Sequence, residues 1–119
     1  MATQTMDAQN TAFKIGWIVL LALSGLWTLG HIALAFAVPD EATLFIGWAA
    51  FNLYATLVIY IPFRRGERWA WYTTWILVMG LASAILFNAT IGLWYVGTAA
   101  VMALCLLLTR PAFFQKGDA

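Results

Sequence analysis

The chain has 119 residues, of which 64% are hydrophobic and 9% are charged. Soluble domains carry about a quarter charged residues, and a water-soluble globule of this composition lacks the polar surface to cover itself. The net charge of +1, without a basic arm, speaks against a nucleic-acid partner, and a single cysteine, Cys105, excludes an internal disulfide or dithiol chemistry.

The charges are segregated. None falls from Ile15 to Pro39, from Ala42 to Phe63, or from Trp69 to Thr109. A helix that crosses a bilayer needs about 20 mostly apolar residues. The first two stretches suit one helix each, and the third is long enough for two. The expected fold is therefore all-α: an integral membrane four-helix bundle, up-down-up-down, in one transmembrane domain over residues 13–110.

In chain order, residues 1–12 are polar and small, without periodicity, and read as a tail with a short helical entry near Asp7 to Asn10. The first span covers residues 13–38. Its Ala35-Phe36-Ala37 has the form of a signal-peptidase site, but the apolar region far exceeds a signal core, so it reads as a retained helix. Pro39 ends it, Asp40 suits the cap of the next helix, and Glu41 suits the positive first turn. The second span covers 42–61 and is closed by Pro62, after which Gly66 permits a tight loop. The third covers 69–87. Asn88 then suits a left-handed C-terminal position, and Thr90 an N-cap for the fourth span, 91–108. Arg110-Pro111 ends that span, leaving residues 111–119 as a C-terminal tail. Short connections make sequential helices antiparallel neighbours.

With four spans, Lys14, Arg64, Arg65, Arg68, Arg110 and Lys116 share one side, while the opposite loops carry Asp40, Glu41 and no base. The bias of Lys and Arg toward cytoplasmic loops then places both termini in the cytoplasm, in a prokaryotic plasma (inner) membrane. Most of the tryptophans, among them Trp17, Trp69, Trp71, Trp48 and Trp94, are expected as an interfacial belt.

Polar residues inside the spans are few. Ser24, Thr28 and His31 share one face of the first helix, and Asn52 and Thr56 share a face of the second. Asn88 closes the third helix and Tyr95 lies a turn into the fourth. Such groups turn away from lipid and find partners. One reading makes Ser24, Thr28, His31, Asn52, Asn88 and Tyr95 a ligand pocket in the outward half. The other makes them interhelical hydrogen bonds, each contributing about 0.6 to 2 kcal/mol. Arg64, Arg65 and Arg68 suit anionic lipid headgroups or a plain topology signal, with Glu67 pairing locally to an arginine. Gly80 with Ala84, and Ala99 with Ala103, are small pairs that let helix backbones approach. No motif implies a cofactor or a metal.

The run Arg64-Arg65-Gly66-Glu67-Arg68-Trp69-Ala70-Trp71 between apolar spans resembles a motif of small prokaryotic integral membrane proteins, and the four-span layout is similar to the DoxX-like group. The resemblance implies the layout and no activity. The leading expectation is a non-enzymatic multi-pass membrane protein, a homo-oligomer or an accessory subunit of a larger membrane complex, with membrane lipids and a lipid-like ligand as partners. The alternatives are a small transporter or channel with a polar pathway on the first two helices, and a membrane enzyme on a hydrophobic substrate using His31 as its neutral-pH acid or base.

Overall fold

A chain that satisfies its own backbone hydrogen bonds inside lipid is restricted to helices or closed barrels, and every apolar stretch here is helical. The computed structural model describes residues 2–114. Helix α1 spans Ala2–Ala37 and α2 spans Ala42–Val58, with a 3-10 turn, Pro39–Glu41, between them. Helix α3 spans Arg68–Ser83 and runs into a 3-10 turn, Ala84–Leu86, and α4 spans Ala89–Phe113. Four helical stretches, Gln9–Ala37, Pro39–Phe63, Arg68–Leu86 and Ala89–Phe113, are long and apolar enough to cross a membrane.

Several boundaries differ from the sequence expectation, each for a local reason. The expected tail over 1–12 is helical from Ala2, because no proline or glycine precedes Gly16 to stop the helix. Pro62 does not close α2. It withholds the donor that the Val58 carbonyl would take, and the chain winds on through a wider π-helical turn, Ile59–Phe63. Gly66 then makes the expected tight loop, at φ 76°, a left-handed conformation open to glycine. Pro111 likewise lies within the last turn of α4. Lys116 and the rest of the expected C-terminal tail beyond Phe114 lie outside the described residues.

The caps are also redistributed. Asp40 sits in the 3-10 turn, and the residue before α2 is Glu41, which makes no side-chain cap. Asn88 is extended rather than left-handed (φ −151°), and it caps α4 itself by accepting from the Thr90 and Ile91 amides at 3.1 and 3.2 Å. Thr90 is therefore not the cap. A short amide side chain reaching two or three residues forward satisfies donors that the first turn otherwise leaves open.

Helix α1 is central, packing on α2 and α4, while α3 packs on α4. Although a tight loop joins them, α2 and α3 touch least of the sequential pairs, so the expected packing of sequential neighbours holds poorly there and a furrow opens between them. The core runs through Leu20, Ile59, Phe63, Leu77, Leu81, Met102 and Leu106, each at most 2% exposed. Phe13, Phe63 and Phe113 close the loop end of the bundle with ring centroids 4.8 to 6.0 Å apart. The tightest helix contacts fall at glycines other than the expected small pairs. A Cβ on Gly16 would meet the Thr109 methyl at 2.6 Å, and one on Gly92 would meet the Ile85 Cα at 2.4 Å.

The tryptophans depart furthest from expectation. Trp69 and Trp94 are exposed, at 49% and 78%, as belt residues should be. Trp17 and Trp71 instead turn inward and tie helices together, their indole N–H groups donating to the carbonyls of Ile59 (2.8 Å) and Leu106 (2.9 Å). The Ile59 carbonyl belongs to the π-helical turn that Pro62 produces. A buried indole needs an acceptor: the widened turn supplies one at Ile59, and the Leu106 carbonyl takes the Trp71 N–H alongside the Thr109 hydroxyl.

Candidate functional site

The inward face of α1 carries Ser24, Thr28 and His31, exposed by 1%, 6% and 1%. Opposite it lies the inward face of α2. The Trp17–Ile59 hydrogen bond sets the antiparallel register: seven residues on, Ser24 stands level with Asn52, and after another seven His31 stands level with Phe45. The His31–Phe45 centroid distance of 6.3 Å agrees with that register. The polar residues predicted on one face of each helix are thus brought to facing levels inside the bundle.

Their hydrogen bonds are mostly not interhelical. Ser24 donates to the Leu21 carbonyl at 3.1 Å, Thr28 to Ser24 at 2.8 Å, and Thr56 to Asn52 at 2.7 Å. Each of these is a return to the preceding turn of the same helix, open to a helical hydroxyl that is turned away from water. They satisfy the side chain without fastening one helix to another. Thr74 and Thr109 do the same within α3 and α4.

His31 is the exception. Its Nδ1 lies 2.7 Å from the Trp27 carbonyl and its Nε2 lies 3.1 Å from the Tyr95 hydroxyl on α4. A carbonyl only accepts, so Nδ1 carries the hydrogen, and Nε2 is the acceptor for the Tyr95 O–H. A neutral imidazole is satisfied at both nitrogens by this arrangement. Around it stand Trp27, Phe45, Trp48 and Tyr95 at centroid distances of 5.5, 6.3, 6.1 and 6.2 Å, with Trp48 stacked. The ring is held in an aromatic box built by three helices. Either nitrogen could meet a metal or a substrate proton only after giving up a partner it already has.

Asn52 is the unfinished group. It is fully buried, and its Nδ2 donates to the Trp48 carbonyl at 2.8 Å. That acceptor fixes the amide orientation, since the side-chain oxygen could not take its place. The oxygen, Oδ1, then has no hydrogen-bond partner among the described residues. Asn88 lies apart from all of these, exposed at the start of α4.

At the other end, Lys14, Arg64, Arg65, Arg68 and Arg110 gather around the α2–α3 loop and the flanking helix ends. Arg64 lies over the Trp17 ring at 5.2 Å. Arg68 donates to the Phe113 carbonyl at 3.0 Å and lies 5.4 Å from the Phe114 ring, and Arg110 lies 5.9 Å from the same ring. Arg65 is exposed and makes no side-chain hydrogen bond, ion pair or ring contact among the described residues. Glu67 accepts the Trp69 indole N–H at 2.6 Å.

The cavities lie on the flanks of the bundle and are almost wholly apolar. One furrow between α2 and α3 measures about 460 Å³ and is lined by Leu44, Gly47, Trp48, Phe51, Ile76 and Gly80. A second, of about 150 Å³, shares Phe51 and Ile76 with it and continues to Val58 and Thr73. Another, between α1 and α2, measures about 470 Å³ and includes Thr28, Phe36 and Ala49. A crevice of about 220 Å³ on α1 reaches the edge of His31.

Sequence reasoning placed His31 and Asn52 inside but passed over Trp27 and Trp48. The signal was present: each precedes its polar partner by four residues and therefore shares its face. Comparison with family models, with curated proteins and with solved structures gives no match, so this chemistry is the basis for a functional reading.

Proposed function

We propose that this is a non-enzymatic multi-pass membrane protein that acts through its lateral surface, as a homo-oligomer or as an accessory subunit, with both termini cytoplasmic. The observation that carries the reading is the distribution of polarity and space. The interior serine and threonine hydroxyls named above are spent within their own helices, both His31 nitrogens are engaged, and the sizeable cavities open sideways and are apolar. A catalytic or conducting site needs the converse, polar groups facing open volume. The orientation rests on the basic residues at the loop end and the acidic Asp40 and Glu41 at the opposite end.

A transport pathway along Ser24, Thr28, His31 and Asn52 is the second reading, and the partnerless Asn52 oxygen is what favours it. Ion and small-solute flux into proteoliposomes separates the two. The expected result is leak indistinguishable from empty vesicles, together with a defined oligomer or co-purifying membrane partner. Flux that disappears in Asn52→Leu would overturn the proposal.

A further inference from the structure

We infer that the furrow between α2 and α3 is a site for an anionic glycerophospholipid of the leaflet on the basic-loop side, with one acyl chain in the furrow and its phosphate at Arg65. This deepens the membrane reading above and rests on the protein residing in a bilayer. Three observations converge on it. The furrow is open because α2 and α3 diverge after a tight loop, and its walls at Tyr54, Ala55, Val58, Thr73, Ile76 and Leu77 offer an apolar lining. The Thr73 and Thr74 hydroxyls on those walls are turned back onto their own helix, to Trp69 and Ala70.

The loop that ends the furrow is basic, and its three arginines are not equivalent. Arg64 lies over Trp17, and Arg68 reaches the Phe113 carbonyl and the Phe114 ring, both away from the furrow. Arg65 is exposed and uncommitted among the described residues. Depth fits as well. Phe51 lies seven residues, about 10 Å, further along α2 than Val58, and only the π-helical turn and the loop separate Val58 from Arg65, so the lining begins within about 10 Å of the Arg65 backbone and ends within about 21 Å of it. One leaflet contributes about 15 Å of hydrocarbon, so a chain hanging from a phosphate at Arg65 ends near Phe51 and Gly80.

The similar furrow between α1 and α2 carries no such signal. It lies toward the turn that bears Asp40 and Glu41, where an anionic headgroup is repelled. A second copy of the chain is the competing occupant of the α2–α3 furrow, but a helix would leave Arg65 without a counter-charge.

The test uses the full chain reconstituted in vesicles of equimolar phosphatidylcholine and phosphatidylglycerol, extracted gently, with retained lipid identified by native mass spectrometry. Phosphatidylglycerol should be retained in preference to phosphatidylcholine. Arg65→Gln should weaken that preference about fivefold, equivalent to about 1 kcal/mol at 1.4 kcal/mol per tenfold. Thr73→Phe, which fills the furrow from a partly exposed position, should lower retention of both lipids. Lys14→Gln, exposed at the same end but off the furrow, should change neither. Equal losses in Arg65→Gln and Lys14→Gln would mean diffuse charge attraction and overturn the site. A Thr73→Phe variant that changes oligomeric state while keeping its lipid would assign the furrow to a second copy and also overturn it. Neither outcome bears on the flux measurement that tests the broader function.

Discussion

Replacing Asn52 by leucine should stabilise this protein, although it removes a hydrogen bond. The amide N–H that is lost bonds Trp48, one turn earlier in the same helix. That bond survives when α2 separates from the bundle in detergent, so it contributes little to assembly. The side-chain oxygen behaves differently. It is free to meet water or headgroups in the separated helix and has no donor once buried at 0% exposure. Stripping a polar atom of its partner costs about 1 to 3 kcal/mol. Leucine has the same branching and heavy-atom count without that demand, so Asn52→Leu should gain about that amount, a factor of roughly 5 to 140 in the folding equilibrium constant.

The assay is reversible unfolding in mixed micelles titrated with sodium dodecyl sulfate, followed by tryptophan fluorescence and far-ultraviolet circular dichroism. Asn52→Ala serves as the cavity control and should destabilise. Ser24→Ala and Thr28→Val should shift the equilibrium by less than about 0.5 kcal/mol, because the bonds they lose lie within one helix. Loss of about 1 kcal/mol or more in Asn52→Leu would refute the reasoning. It would mean that Oδ1 has a donor in the membrane-embedded protein, and the pathway reading of Asn52 would gain ground.

Tyr95→Phe removes the donor to His31 Nε2, the side-chain pair that links α1 to α4. It should cost about 0.6 to 1.7 kcal/mol in the same titration and shift the imidazole nitrogen resonances, whereas an unchanged spectrum would break the assigned pairing. Two glycines of α4 should respond with opposite signs. Gly92→Ala places a Cβ 2.4 Å from the Ile85 backbone and should destabilise by about 1 to 3 kcal/mol, while Gly97→Ala meets open space and should gain up to about 1 kcal/mol of helix propensity. Asn88→Ala removes the cap of α4 and should cost about 1 kcal/mol, with hydrogen exchange accelerated at the Thr90 and Ile91 amides. Exchange unchanged at those two amides would assign the cap elsewhere.

Composition and the spacing of charges were enough to determine four apolar helices and the loop at Gly66, because a bilayer-length run without charge has few alternatives in lipid. They were enough, too, to put His31 and Asn52 on inward faces, since three- and four-residue spacing is a property of the helix itself. What the tertiary structure decided was which inward groups find each other. Hydroxyls at Ser24, Thr28 and Thr56 can bond their own helix or a neighbour with equal local chemistry, and only the packed distances select the first. The box around His31 needs three helices at one depth, and that depth depends on a register set by Trp17 and the turn at Pro62. The furrow between α2 and α3 follows from the same packing: α1 and α4 supply the close contacts at Gly16, and helices joined by a short loop remain free to diverge above it. No local pattern carries that information, because divergence is a property of the whole bundle and not of either helix.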